Sequence, residues 1–342
     1  MMLSKRLAIL LLLLSYLVVI PLVFRQDRYV LHVFIVASEV AVVAMAVRLM
    51  NTAGELTFGQ VAFVMLGAYF SALLVIKTNL SFWISLPLAG ILTFVMALIL
   101  GYPILRLRGT YFAILTLIIA EVMSQGARVW RFIGGDEGLI DIPRPHQITI
   151  GDFTLIPEFT ADSKLPYYFL MAFILICTII VFWRIEQTPL GSIFKAIKQN
   201  ELLAGSVGIN ALWYRIFVFA ISALFSGLVG GFYAHYMTVF YPRSFSVWDS
   251  VNYVLYAFIG GIGYLFGPII GSFGMVWLWE FLGPFQRYQS IIFAIVITLV
   301  ILFLPDGLMS VKDIRFKIPR LIFPQKRSSI ISTEKKRWSD SK

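Results

Sequence analysis

Long apolar runs, broken at intervals by short clusters of Arg, Lys, Gly and Pro, organise this chain from end to end. An apolar stretch of about 18 or more residues can cross the hydrocarbon core as a helix, which satisfies its own backbone hydrogen bonds where no water is available. On that criterion ten spans are predicted, near 7–24, 29–50, 57–76, 81–102, 109–127, 166–183, 214–236, 250–266, 268–285 and 288–304. Lys5 and Arg6 precede the first. The sequence after it, Phe24-Arg25-Gln26-Asp27-Arg28, lacks a small-residue cleavage signature, so it reads as an uncleaved helix. The expected fold is an all-α integral membrane protein with a transmembrane domain over 1–310 and a basic tail over 311–342. Glycine interrupts the pattern at 51–67 and 260–271, where broken or re-entrant helices are expected.

Composition agrees with the pattern. Of 342 residues 59% are apolar and 13% charged, against roughly 25% charged in a soluble domain, so a soluble surface could not be covered. Charge then orients the spans. Residues 311–342 hold ten Lys/Arg and three Asp/Glu, whereas 128–164 hold four basic and six acidic residues. The loop 184–213 adds Arg184, Lys195 and Lys198. Basic bias marks the cytoplasmic side, which places both termini and 184–213 inside and the 128–164 loop outside a cell (inner) membrane. The net charge of +10 is therefore topological and no nucleic-acid signal. Cys177, the sole cysteine, allows no intrachain disulfide, and it makes no metal-site pattern with His32, His146 and His235.

Three stretches depart from plain spans. The first, 51–63, sets Gly54 and Gly59 with polar Asn51, Glu55, Thr57 and Gln60 where an uninterrupted helix would want leucine. Either this is a cytoplasmic turn with small-residue packing, or it is a broken helix lining a solute path, since irregular backbone at membrane depth survives only where protein or water covers it. The second, 260–271, combines Gly260, Gly261, Gly263, Gly267 and Gly271 with Pro268. Gly263, Gly267 and Gly271 have the spacing that lets helices approach closely, so bulk at Gly263 or Gly267 is expected to be poorly tolerated. Interruptions in both halves suggest a pseudo-repeat, although the halves show no sequence identity. The third is the loop 188–210. From Ser192 to Val207 the positions Ile193, Ala196, Ile197, Ala204 and Val207 recur at helical spacing, with Lys195, Lys198 and Glu201 between them and Gly208 and Asn210 suited to a stop. Such a helix could lie on lipid or offer its apolar side to a partner protein.

These stretches, in this order, resemble the permease subunit of branched-chain amino acid (leucine/isoleucine/valine) ABC importers, of the second-permease type. Gly54 through Phe63 running into Gly67-Ala68-Tyr69 is similar to that family's Gly-x-x-x-Ser-Leu-Gly-His-Ala-Ala-Phe segment, with Thr57 and Gln60 as departures. Leu105–Leu117 resembles its Leu-Arg-Leu-Arg-Gly-x-Tyr signature, with Glu121 following. Gly134, Gly135, Gly138, Leu139, Ile142 and Pro143 resemble its outer Gly-Gly-x-x-Gly-Leu-x-x-Ile-Pro segment. Pro189–Glu201 resembles its inner loop, with Ser192 in place of Arg, and 260–271 its Gly-Gly-x-Gly segment, with Tyr264 in place of Thr. Pro305-Asp-Gly-Leu308 is similar to its ending.

The resemblance implies a division of labour. A second homologous permease, two ATP-binding cassette subunits and an extracytoplasmic solute-binding protein would complete the machine in the lipid bilayer. The chain carries no Gly-x-x-x-x-Gly-Lys-Ser/Thr loop, so it would bind no cofactor and ATP would be used by the partner subunits. The family reading assigns Gly191, Lys195, Ala196, Ile197, Asn200, Glu201, Ala204 and Gly208 to an ATPase coupling helix. Asn51, Gly54, Thr57, Gly59, Gln60, Gly260, Gly261, Gly263 and Gly267 would belong to the substrate path. Urea and short-chain amide importers use closely similar permeases. An ion-coupled secondary transporter would want intramembrane carboxylates, for which Glu39, Glu121 and Glu280 are candidates. The absence of Gly-x-Ser-x-Gly, His-Glu-x-x-His or paired intramembrane Asp argues against an intramembrane enzyme.

Overall fold

Helix starts follow local chemistry. Asp27 caps the first long helix by accepting from Tyr29 N at 3.1 Å and Val30 N at 3.2 Å. Ser246 and Asp249 form a reciprocal capping box at another. Prolines at 166, 189 and 268 open three more, where the missing N–H costs nothing. The computed structural model describes residues 16–25, 27–150, 153–156, 159–160, 163–285, 287–304 and 306–313. The tail beyond 313 and most of the expected first span lie outside these; residues 16–23 are helical.

Among the described residues the helices are α1 (Arg28–Thr52), α2 (Gln60–Thr78), α3 (Phe82–Ile104), α4 (Thr110–Val129), α5 (Leu165–Gln187), α6 (Pro189–Gln199), α7 (Glu201–Ser206), α8 (Ala211–Met237), α9 (Val247–Gly260), α10 (Gly267–Phe281) and α11 (Gln289–Phe303). Six of them, α1 to α5 and α8, are long and apolar enough to cross a membrane. The other expected spans near 250–266, 268–285 and 288–304 appear as α9, α10 and α11, of 14, 15 and 15 residues. At 1.5 Å per residue each rises about 21–23 Å, less than the ~30 Å core. The fold is not wholly helical: Ile148–Ile150 and Phe153–Ile156 pair as an antiparallel hairpin, β1 and β2, within the 128–164 loop. Ile148, Thr149, Ile150, Thr154 and Ile156 are β-branched, a composition that favours strands over a helix.

The bundle is centred on α1 and α8, the two most buried spans. Glycine lets α8 press between α2 and α3. A Cβ on Gly67 would lie 2.1 Å from Gly227 O, one on Gly230 1.8 Å from Val64 O, and one on Gly227 2.1 Å from Thr93 Oγ1. Small residues at such contacts are how apolar helices associate without a hydrophobic driving force between them. A second, smaller cluster joins Val33 and Ala37 of α1 to Tyr256 and Ile259 of α9, Met275 and Val276 of α10 and Phe293 of α11.

Two ends result. At one, the 53–59 turn, the start of α4 and the α6–α7 loop meet, and the 261–266 turn packs by Gly307. At the other, Leu139 pairs with Phe240 through two hydrogen bonds of 3.1 Å, Ile142 N donates to Thr238 O, and Arg243 grips Asp136 with two bonds of 3.2 and 2.9 Å. Gly138 permits that backbone crossing, since a Cβ there would lie 2.1 Å from Phe240 O.

Candidate functional site

The turn between α1 and α2 is built on a glycine with no alternative. Gly54 has φ +90°, a left-handed backbone, and any Cβ would lie 3.2 Å from the Lys198 Cα of α6. The next residue, Glu55, is 2% exposed. A buried carboxylate needs partners, and the fold supplies them from two elements. Gly109 N donates to Glu55 Oε2 at 2.9 Å from the start of α4. Arg215 of α8 reaches Glu55 Oε1 at 3.5 Å and also donates to Ala53 O at 3.4 Å. The same guanidinium pairs with Glu201 Oε2 of α7 at 3.1 Å, whose other oxygen takes Arg108 at 2.9 Å. Burial pushes the Glu55 carboxyl above the ordinary glutamate range, and Gly109 N–H and then Arg215 draw it back. Beside this junction Arg48 of α1 holds Glu186, at the end of α5, through a two-pronged contact.

The 188–210 loop is two helices, not one. Asn200 is extended (φ −159°, ψ 106°) and its side chain caps α7 by accepting from Leu203 N at 3.1 Å. That break turns α7 so that Ala204 and Ile197 are buried together with Ala211, while Leu202, Leu203 and Val207 are exposed at 82%, 66% and 74%. Val207, grouped by spacing with the buried stripe, therefore faces outward because the chain rotates at Asn200. Gly191 is buried where α6 turns back on α5, a Cβ there lying 2.3 Å from Glu186 O. Lys195 is exposed, Ala196 half-buried, and Gly208 (φ +85°) ends α7.

Among the path positions, Thr57 and Gln60 are buried: Gly59 N donates to Thr57 Oγ1 at 3.1 Å, and Ser226 donates to Gln60 Oε1 at 2.8 Å. Phe58 N is held by Thr116 Oγ1 of α4 at 3.1 Å. Asn51 is half-buried in the last turn of α1. Half-buried Leu56 and Phe58 of this turn line a cleft of about 280 Å³ with Val251, Leu255 and Phe258 of α9 and Leu304. Phe258 continues into a second cleft of about 470 Å³ with Gly263, Tyr264 and Asp306. Gly260, Gly267 and Gly271 press α9 on α10; a Cβ on Gly260 would lie 1.7 Å from Gly267 O, and one on Gly271 2.0 Å from Tyr256 O. Gly263 has nothing within 4 Å of an added Cβ, so the expectation that it packs is corrected. The 261–266 break takes it out of any helix and off the ladder, and Gly261 (φ +108°) makes the turn.

Residues 29–304 match the family described as branched-chain amino acid transport system / permease component. The chain belongs to that family. Among its relatives are the high-affinity branched-chain amino acid transport system permease proteins LivM of Salmonella typhimurium and of Escherichia coli, 28% and 27% identical over 280 residues. Each alignment covers 78% of this chain and 66% of the relative, so the chain spans a little under two thirds of their length. No solved structure matches. Membership makes this a multi-pass membrane permease component, and the family motifs acquire physical reasons. The Gly-Gly-x-x-Gly segment at 134–138 crosses the 238–245 backbone, and the Gly54–Phe63 segment is the turn that carries Glu55 into the charged junction. Arg108 lies within the Leu105–Leu117 signature, whereas Arg215, central to that junction, belongs to none of the motifs read from the sequence. A lone Arg at the edge of an apolar span was the available signal.

Proposed function

We propose that this chain is the transmembrane permease subunit of an ATP-driven ABC importer that moves branched-chain or other hydrophobic amino acids across the cell membrane. It would work with a second homologous permease, two ATP-binding cassette subunits and an extracytoplasmic solute-binding protein. The reading takes all ten spans as crossing, with α9 to α11 and the N-terminal segment included and both termini cytoplasmic. Turns at 53–59 and 261–266 each separate two helices at the same end, which is the basis for treating the halves as a pseudo-repeat.

The observation that carries it is the junction Glu55–Arg215–Glu201–Arg108. It joins a helix pair that presents bare Leu202, Leu203 and Val207 to the turn whose Leu56 and Phe58 line the inner cleft. A partner that pushes on α7 thereby pulls on the cleft. The two permeases, ATPases and binding protein, reconstituted in liposomes, should accumulate leucine only with ATP inside and the binding protein outside. Uptake driven by an ion gradient without the ATPases would instead make the chain a secondary carrier.

A further inference from the structure

The span α4 is the least enclosed of the six long helices: 28% of its apolar window is buried, against 39–72% for the others. One stripe, Phe112, Thr116, Ala120, Ser124 and Ala127, packs inward. The outward side carries Tyr111, Ile114, Ile118, Val122 and Val129, 75%, 51%, 49%, 62% and 82% exposed, and along one edge of it runs a polar row of half-buried Glu121, exposed Gln125 and half-buried Arg128. These are joined in a row: the Gln125 amide donates to Glu121 Oε1 at 2.7 Å, and Arg128 donates to Gln125 Oε1 at 3.4 Å. Glu121 lies eleven residues after Thr110, about 16 Å along a helix of about 30 Å, and so near the middle of the span. A carboxylate there is costly against lipid and is tolerated facing a watery cavity or another protein chain. The neighbouring span α3 gives the contrast: along its length from Ile84 to Ile99 the exposed residues Ile84, Pro87, Ile91, Val95, Leu98 and Ile99 carry no polar side-chain group.

We infer that this face of α4 lines the aqueous route of the transported amino acid, with Arg128 and Glu121 as successive stations for its zwitterionic end. The inference rests on the functional reading above. A guanidinium is the natural partner of the substrate carboxylate and a carboxylate that of its ammonium. Arg128 and Glu121 stand seven residues apart, about 10 Å along the axis, too far for one amino acid to bridge. The solute would meet Arg128 first from the outer end and Glu121 deeper, with Gln125 between them. Ile118 and Ile114, the next exposed residues inward, offer apolar surface to a hydrophobic side chain.

The test uses the assembled transporter with Cys177→Ser. Cysteines replacing Ile118 and Gln125 should react with a charged, water-soluble thiol reagent about tenfold or more faster than cysteines replacing Ile91 and Ile99, the lipid-facing controls, and leucine turnover should slow them. Glu121→Gln should still assemble with its partner subunits while raising KM for leucine about tenfold or more, as loss of a hydrogen bond to a charged group does. Reactivity at 118 and 125 no greater than at 91 and 99, or wild-type leucine kinetics in Glu121→Gln, would overturn the inference. Failure of the underlying reading looks different: an assembled wild-type transporter that carries no leucine removes the amino-acid assignment whatever the thiols do.

Discussion

Glu55 holds its charge in a place where water cannot help it, and its partners come from positions 54 and 160 residues away in the chain. No spacing rule connects 55 with 109 and 215, so this junction was not legible in the sequence, although Glu55 itself stood out as a polar residue among glycines. The raised carboxyl has a worked consequence. Because burial raises it, Glu55 takes up a proton on mild acidification before an exposed glutamate would. A carboxyl raised in the folded state contributes stability that is present at low pH and lost as pH rises through the raised value. Acid should therefore not unfold the protein through this group; it should remove one of the two carboxylates that hold Arg215. The expected outcome is that coupled ATP hydrolysis declines on mild acidification while thermal stability holds. In Glu55→Gln, activity at neutral pH should already match the acidified wild type, and the profile should be flatter. The pH dependence of substrate-stimulated ATPase in both proteins checks this. At the glycines the same scale gives a contrast. Gly230→Leu must displace the α2 backbone at Val64, an overpacking cost of about 1–3 kcal/mol or more, whereas Gly263→Leu enters open space. Detergent-solubilised Gly230→Leu should melt well below wild type and Gly263→Leu close to it.

The elements themselves were largely legible, since a run of apolar residues long enough to cross lipid has few alternatives to a helix. α1 to α5 and α8 lie within a few residues of the predicted spans. What failed was rotation and interruption. A helical period from 192 to 207 places Val207 on the stripe of Ile193 and Ile197, but the extended Asn200 resets the phase, and α7 shows Leu202, Leu203 and Val207 to solvent. Local backbone preference at one residue outweighed the period because Asn caps a new helix as readily as it continues an old one. Two large apolar side chains bare on a six-residue helix and a third at its C-cap are what a docking surface needs. Leu203→Asp and Val207→Asp should leave the permease folded and membrane-embedded but reduce the ATPase subunits that co-purify with it. Ala196→Asp, at a half-buried site, should have a smaller effect on co-purification. Equal ATPase recovery from Leu203→Asp and wild type would show that α7 is not the contact.

At the scale of the whole molecule, contacts sort the connections into two groups that alternate along the chain, as spans crossing a membrane require. The 53–59 turn, Arg108, Glu186 and Glu201 gather at one end, and residues 136–146, 238–246 and Trp83 at the other, where Trp83 Nε1 donates to His146 O at 3.1 Å and the Pro143 carbonyl meets His235 Nδ1 at 2.7 Å. That sorting follows from packing and says nothing about which end faces the cytoplasm; the orientation rests on Lys/Arg bias. The two are joined by one experiment. Glu137 is exposed on the 128–164 loop and Leu202 on α7, so a single cysteine at either, with Cys177→Ser, reports one end each. In intact cells a membrane-impermeant thiol reagent should label the Glu137→Cys protein and spare the Leu202→Cys protein, which should label only once the membrane is opened. The loop at Glu137 is anchored through Asp136 to Arg243 and through Leu139 to Phe240, so it presents a fixed surface, and bound solute-binding protein should slow labelling there. The reverse pattern would turn Leu202, Leu203 and Val207 away from every source of ATP and remove the coupling role proposed for α7, while leaving the helix packing untouched.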